Sequence, residues 1–186
     1  MDGAVELISR VRDHYVQQYL AFIDAQRNQW PSGVAEVKFE IPEKSELFRK
    51  LYCVDFIAKE GDEVVVREML PDRILKFGTL SLEIREAQVV IEQLVWDDVQ
   101  LHHDAVAFDI GRVGRWFDHW FDPDDARLDP NAELGGVVHS LMVKGNEISL
   151  DLGSAAPEAF WDMLEVVAGS GATTMRVTSW RETESA

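Results

Sequence analysis

The chain has 186 residues, 46% of them hydrophobic and 28% charged, with 34 acids against 18 bases and a formal net charge of −16. That composition excludes a disordered or fibrous protein. Its acidity argues against nucleic acid and anionic membrane surfaces as partners, because both attract basic patches, and leaves a basic protein as the partner class it fits.

No apolar run approaches the ~20 residues that span a bilayer, and the N-terminus lacks a basic segment followed by an apolar one. A soluble, cytoplasmic protein is therefore expected. The length suits one domain over residues 1–186 with a single core. The lone cysteine, Cys53, sits in the apolar run LYCVDF and reads as a buried small hydrophobe, not as a nucleophile.

Residues 2–29 predict one long helix, with Val5, Ile8, Val11, Tyr15, Tyr19, Phe22 and Ile23 recurring at three- and four-residue steps. Trp30, Pro31, Ser32 and Gly33 stop it. A helix of this kind packs on a sheet or, as the second option, mediates self-association. Residues 34–41 alternate Val37, Phe39 and Ile41 against Glu36, Lys38 and Glu40, the period-two pattern of a half-buried strand with its acids toward water.

A helical turn at 45–50 precedes two apolar segments, 51–59 and 63–70, joined through Glu60, Gly61 and Asp62 as a hairpin. A second hairpin is predicted for 75–85 and 88–95. Residues 96–107 fit neither period and read as strand running into loop. The Gly145-Asn146 turn then joins strands at 135–143 and 147–152, a helix follows at Pro157–Ala168, and a last strand occupies 172–180. The tail RETESA is expected to fray.

This order predicts an α+β fold: a largely antiparallel sheet of seven or eight strands, a meander followed by a C-terminal β-β-α-β unit, with one long and two shorter helices packed on it. Residues 123–133, polar and holding two prolines, are the candidate subdomain boundary.

The densest stretch is 111–125, GRVGRWFDHWFDPDD. At helical period Val113, Trp116, Phe117, Trp120 and Phe121 form a continuous apolar stripe, which predicts burial. The opposite face carries Arg112, Arg115, Asp118, His119 and Asp122, and Asp122 before Pro123 ends the pattern. Arg115, Asp118, His119 and Asp122, with His102 from the preceding segment, are the candidate binding residues.

Catalytic and metal chemistry find little support. His102 and His103 are adjacent, so a strand turns them to opposite faces, and no HExxH or cysteine-rich pattern is present. Residues 122–133 place acids at a calcium loop's first, third and twelfth positions, but Ala126 and Arg127 stand where an oxygen ligand and glycine are required. Ser140 beside His139 faces the other way along a strand and makes no nucleophile and base. No cofactor, catalytic residue or metal ligand is assigned.

The charge is uneven, net −5 over residues 1–93 and −11 over 94–186, with ten acids and three bases in 94–133. The expected function is a non-enzymatic, acidic protein-interaction or regulatory domain that binds a basic partner as an inhibitor or immunity protein does. The alternative is a small-molecule-binding protein or enzyme with a pocket between the sheet and helix 112–121.

Overall fold

In the computed structural model, which describes residues 2–42 and 44–181, the N-terminal pattern forms α1 (Asp2–Gln29). At ~1.5 Å per residue this helix is roughly 42 Å long. Ile8, Val11, Tyr15, Tyr19 and Ile23 are buried as their spacing predicts, joined by Ala4 and Val16, whereas Val5 is 46% exposed. The apolar face of α1 is thus covered within the chain, and Arg12 fastens it by donating to the carbonyls of Ser154 and Ala155 at 3.1 and 3.3 Å.

The strands divide into two sheets. The smaller contains β1 (Val34–Glu40), β2 (Leu51–Glu60) and β3 (Glu63–Arg67), in that order and antiparallel throughout. The larger is built from β4 (Leu80–Ile84), β5 (Ala87–Ile91), β6 (Val99–His103), β7 (Ser140–Lys144), β8 (Glu147–Asp151) and β9 (Thr174–Thr178). Its order is β4-β5-β9-β6-β8-β7.

The α+β class and the three helices hold, while a single sheet of seven or eight strands is corrected to nine strands in two sheets among the described residues. The larger sheet is mixed because β5 and β9 pair in parallel. The cause is α3 (Pro157–Ala168), a crossover that returns the chain parallel to β8. Strand β6 fills the place between β8 and β9, antiparallel to both. The C-terminal β-β-α-β order is therefore present without a sheet of its own.

Two strands are shorter than their apolar runs. β3 ends at Arg67 because the Met69 N–H turns away to Asp55 Oδ2 at 2.6 Å. β4 starts only at Leu80, because the preceding segment docks on α1, where Gln18 bonds both the carbonyl and the N–H of Arg73.

Helix α2 (Ile110–Trp120) begins at Asp109, whose carboxylate accepts from the N–H groups of Gly111 and Arg112 at 3.0 and 3.2 Å. Such a side chain satisfies two of the donors that a helix start leaves open. The predicted stripe is buried in full: Val113, Trp116, Phe117, Trp120 and Phe121 are all at most 8% exposed. Its indole N–H groups have partners on α3, Trp116 on the Ala159 carbonyl and Trp120 on Asp162.

One core cluster runs from Ile8 to Val177 and draws on all three helices and both sheets. A satellite of Trp30, Phe56 and Ala58 lies on the far face of the small sheet. Among the described residues no helix is long and apolar enough to cross a membrane. Residues 182–186 of the tail expected to fray lie outside the described residues, but Arg181 is anchored by Asp97 and Asp98.

Candidate functional site

The sheets meet where residue 139 prolongs β7. Its N–H donates to the Asp151 carbonyl at 2.9 Å, and its carbonyl accepts from the Cys53 N–H at 2.8 Å, so the backbone of one residue bridges β8 and β2. This junction reverses the expected polarity of β1. Phe39 is 40% exposed, while the side chains of Glu36 and Lys38 are only 5% and 13% exposed. Glu36 lies between the Ala35·Phe56 and Val37·Val54 pairs and so shares a face with Asp55, and Lys38 pairs with Cys53. That face looks onto residues 137–139 instead of water.

His139 is the centre of this face and is fully buried. Its Nε2 donates to Glu36 Oε1 at 3.0 Å. Its Nδ1 lies 3.0 Å from Asp55 Oδ1 and 4.0 Å from Asp151 Oδ2, close ion-pair contacts without the alignment of a hydrogen bond. A lone pair aimed at carboxylate oxygens would be repelled, so both ring nitrogens carry protons. Burial opposes that charge, yet the surrounding carboxylates of Asp55, Glu36 and Asp151 outweigh it and hold the His139 pKa well above its ordinary value.

Glu36 is bound on every side. Besides His139 it accepts from the Ser154 hydroxyl and the Gly135 N–H. Burial pushes its pKa up, but these three donors prevail and hold it below the usual carboxylate value. Its backbone is left-handed, with φ of 52°, a conformation that costs a residue with a side chain on the order of 1 kcal/mol. The neighbouring acids move the other way. Burial, with Asp97 and Asp55 nearby, raises Asp151 to about 7, and burial raises Asp97 to about 6 against the pull of Arg181. Gly153, with φ of 50°, closes the cluster, because a methyl at its Cα would overlap the His139 ring.

On its outer side this cluster holds open a groove. Residues 33–38 form one wall and residues 122–137 the other, with Arg27 of α1 also lining a hollow of about 550 Å³. The second wall is pinned at both ends. Gly135 is held by Glu36, and Asp122 accepts from the N–H groups of Ala126 and Arg127 at 3.0 and 2.9 Å. Lys38 spans the groove floor, donating to the Asp122 carbonyl at 2.5 Å and pairing with Asp125. Leu128, 53% exposed, and exposed Asp129 and Glu133 stand along the rim.

The five residues singled out from sequence do not converge. Asp118 pairs with Arg49. His102 lies on β6, 3.6 Å from Glu147, while His103 turns inward to stack on Phe108. Asp122 is 6% exposed and organises the loop after α2, having left the helix's polar face at φ of 52°. Arg115 and His119 remain together, lining a shallow hollow of about 390 Å³ between α2 and α3 with Arg85 and Arg112. Asp118, His119 and His102 therefore lie in three separate places.

The residues that sequence reasoning passed over are Glu36, Asp55, His139 and Asp151. The available signal was an ionisable residue inside an apolar run, as in CVDFI and VVHSL. Among the described residues no group of three or more His, Cys, Asp or Glu side chains is placed to hold a metal ion. Cys53 is fully buried and its thiol is pushed up to about 12 by that burial, which leaves it unreactive at neutral pH. No protein-family model matches the chain, and no curated protein and no solved structure matches it.

Proposed function

We propose that the chain is a non-enzymatic, acidic interaction or regulatory domain that binds a basic protein partner at the rim of the groove between β1 and residues 122–137. One observation carries this reading: Asp129 and Glu133 on the groove rim, and Asp124 on the same loop, are exposed and have no ion-pair partner among the described residues. The other acids of 94–133 serve the fold, which narrows the acidic surface to this loop. Asp104 holds Thr173 and Thr174, Asp109 caps α2, Asp118 pairs with Arg49, and Asp97 and Asp98 hold Arg181. Free acids around a concave surface steer a cationic partner and raise its association rate.

Oligolysine is the probe for a first test. Asp124→Lys, Asp129→Lys and Glu133→Lys together are expected to weaken its binding about tenfold, at roughly 0.5 kcal/mol per charge. Reversal of the exposed control acids Glu60, Asp62 and Glu63 on the β2–β3 turn should have a much smaller effect. Equal losses from the two triples, or binding indifferent to salt, would show that only net charge matters and would end the reading.

A second reading, a binder of a small anionic ligand, is supported by the α2–α3 hollow, where Arg85, Arg112, Arg115 and His119 meet in an otherwise acidic chain. Asp162 and Glu165 also line the hollow, with Arg85 paired to Glu165 and Arg112 to Asp109, whereas Arg115 makes no ion pair among the described residues and only lowers the Asp109 pKa through its field. Inorganic phosphate at millimolar concentration is expected to shift the indole resonances of Trp116 and Trp120, and Arg115→Ala to weaken that response about fivefold. Unmoved indole signals would discard it.

A further inference from the structure

The groove follows a strand edge. β1 is the terminal strand of the small sheet and pairs with β2 alone, so along its other side the backbone has no ladder partner among the described residues. An open edge of this kind is a template for another extended chain, and proteins usually guard it with outward charged side chains, above all lysine. Here the two charged residues at the strand's centre are turned away. Glu36 is drawn into the buried cluster by His139, Ser154 and Gly135, and Lys38 is drawn across the floor to Asp122 and Asp125. The edge is thereby left unguarded at the place where the hollow opens, and the hollow, at about 550 Å³, lies within the ~300–1,000 Å³ range of ligand sites.

The surroundings define the occupant. Val34 and Leu128, 58% and 53% exposed, offer apolar contacts on the two walls, while Asp129 and Glu133 offer charge on the rim. An added strand turns successive side chains to opposite faces, so it meets both kinds of surface in alternation. We infer that the groove takes an extended segment of the basic partner, with lysine or arginine alternating with small apolar residues, as an added strand on β1. The inference rests on the basic-partner reading and gives that partner's segment a conformation and a pattern.

Strand addition differs from attraction by charge in one measurable respect, since it ties up the outward amides of β1. The probe is a short peptide of alternating Lys and Val, with an alternating Glu and Val peptide as its counterpart. Each is added to the full chain while amide hydrogen exchange is followed by residue. The Lys-Val peptide is expected to bind and to slow exchange about tenfold at alternate positions of 34–40, with the exposed amides of β3 unchanged as an internal control. Asp129→Lys with Glu133→Lys should remove that protection without altering the protein's own exchange in α1 or α3.

Binding of the Lys-Val peptide with no protection of β1, or with protection on β3 instead, overturns strand addition and leaves the basic-partner reading standing. Equal binding of the Glu-Val peptide, or binding of neither, overturns both.

Discussion

His139→Ala is expected to cost about 3–5 kcal/mol of folding stability, because it strands Glu36 and Asp55 as buried charges without their cation. Against a total of ~5–15 kcal/mol for a domain, that is a large fraction. The urea midpoint measures it.

Its pH dependence identifies the mechanism. His139 holds its proton more tightly when folded, so its contribution is complete below the unfolded value near 6.5 and fades as pH rises through the higher folded value. Asp151, raised to about 7, and Asp97, raised to about 6, act in the same direction, since each favours the protonated form when folded. Glu36 acts oppositely: held below its ordinary value, it stabilises above that value and loses its contribution as pH falls through the folded one. Wild-type stability is expected to peak at about pH 4, where Glu36 is ionised and Asp97 and Asp151 are still protonated when folded, and to decline toward alkaline pH. The alanine variant should show a shallower alkaline decline. A wild-type midpoint that climbs steadily to pH 8 would mean that His139 is neutral in the fold.

Gly153→Ala is expected to be the next most damaging change, at about 2–4 kcal/mol, the sum of an overpacked contact and a left-handed backbone forced on a residue with a side chain. The φ of 50° and the overlap with the His139 ring are independent causes, and a double-mutant cycle separates them. With alanine already at 139 the steric part vanishes and roughly 1–2 kcal/mol of backbone cost remains. Strict additivity of the two substitutions would show that the ring and the glycine do not touch.

What could be read from the chain follows the range of the forces involved. The stripe Val113, Trp116, Phe117, Trp120 and Phe121 was legible because a helix displays its buried face in its own spacing. The Gly145-Asn146 turn was legible because its left-handed backbone, with Gly145 at φ of 60°, selects residue type locally. The inward turn of Glu36 was not, because alternation marks two faces of a strand without stating which one meets water. That choice is made by His139, 103 positions away, and by Ser154, 118 away. The parallel place of β9 was hidden for the same reason, as β6 sets it from a distant part of the chain. In the candidate site, the acids of 122–133 were recognised as a group, but their division into Asp122 and Asp129, which bond loop N–H groups, Asp125, which pairs with Lys38, and unpaired Asp124 and Glu133 needed the structure.

The position of Cys53 gives the molecule a built-in reporter. The thiol is the chain's single one, is fully covered, and belongs to the residue whose N–H is bonded to the His139 carbonyl. A sulfhydryl reagent reaches it only when the elements that cover it part, among them α1 and residue 139. Its labelling rate in dilute reagent therefore counts openings of the core around the acid-histidine junction in a native sample, at any pH where the freed thiol reacts.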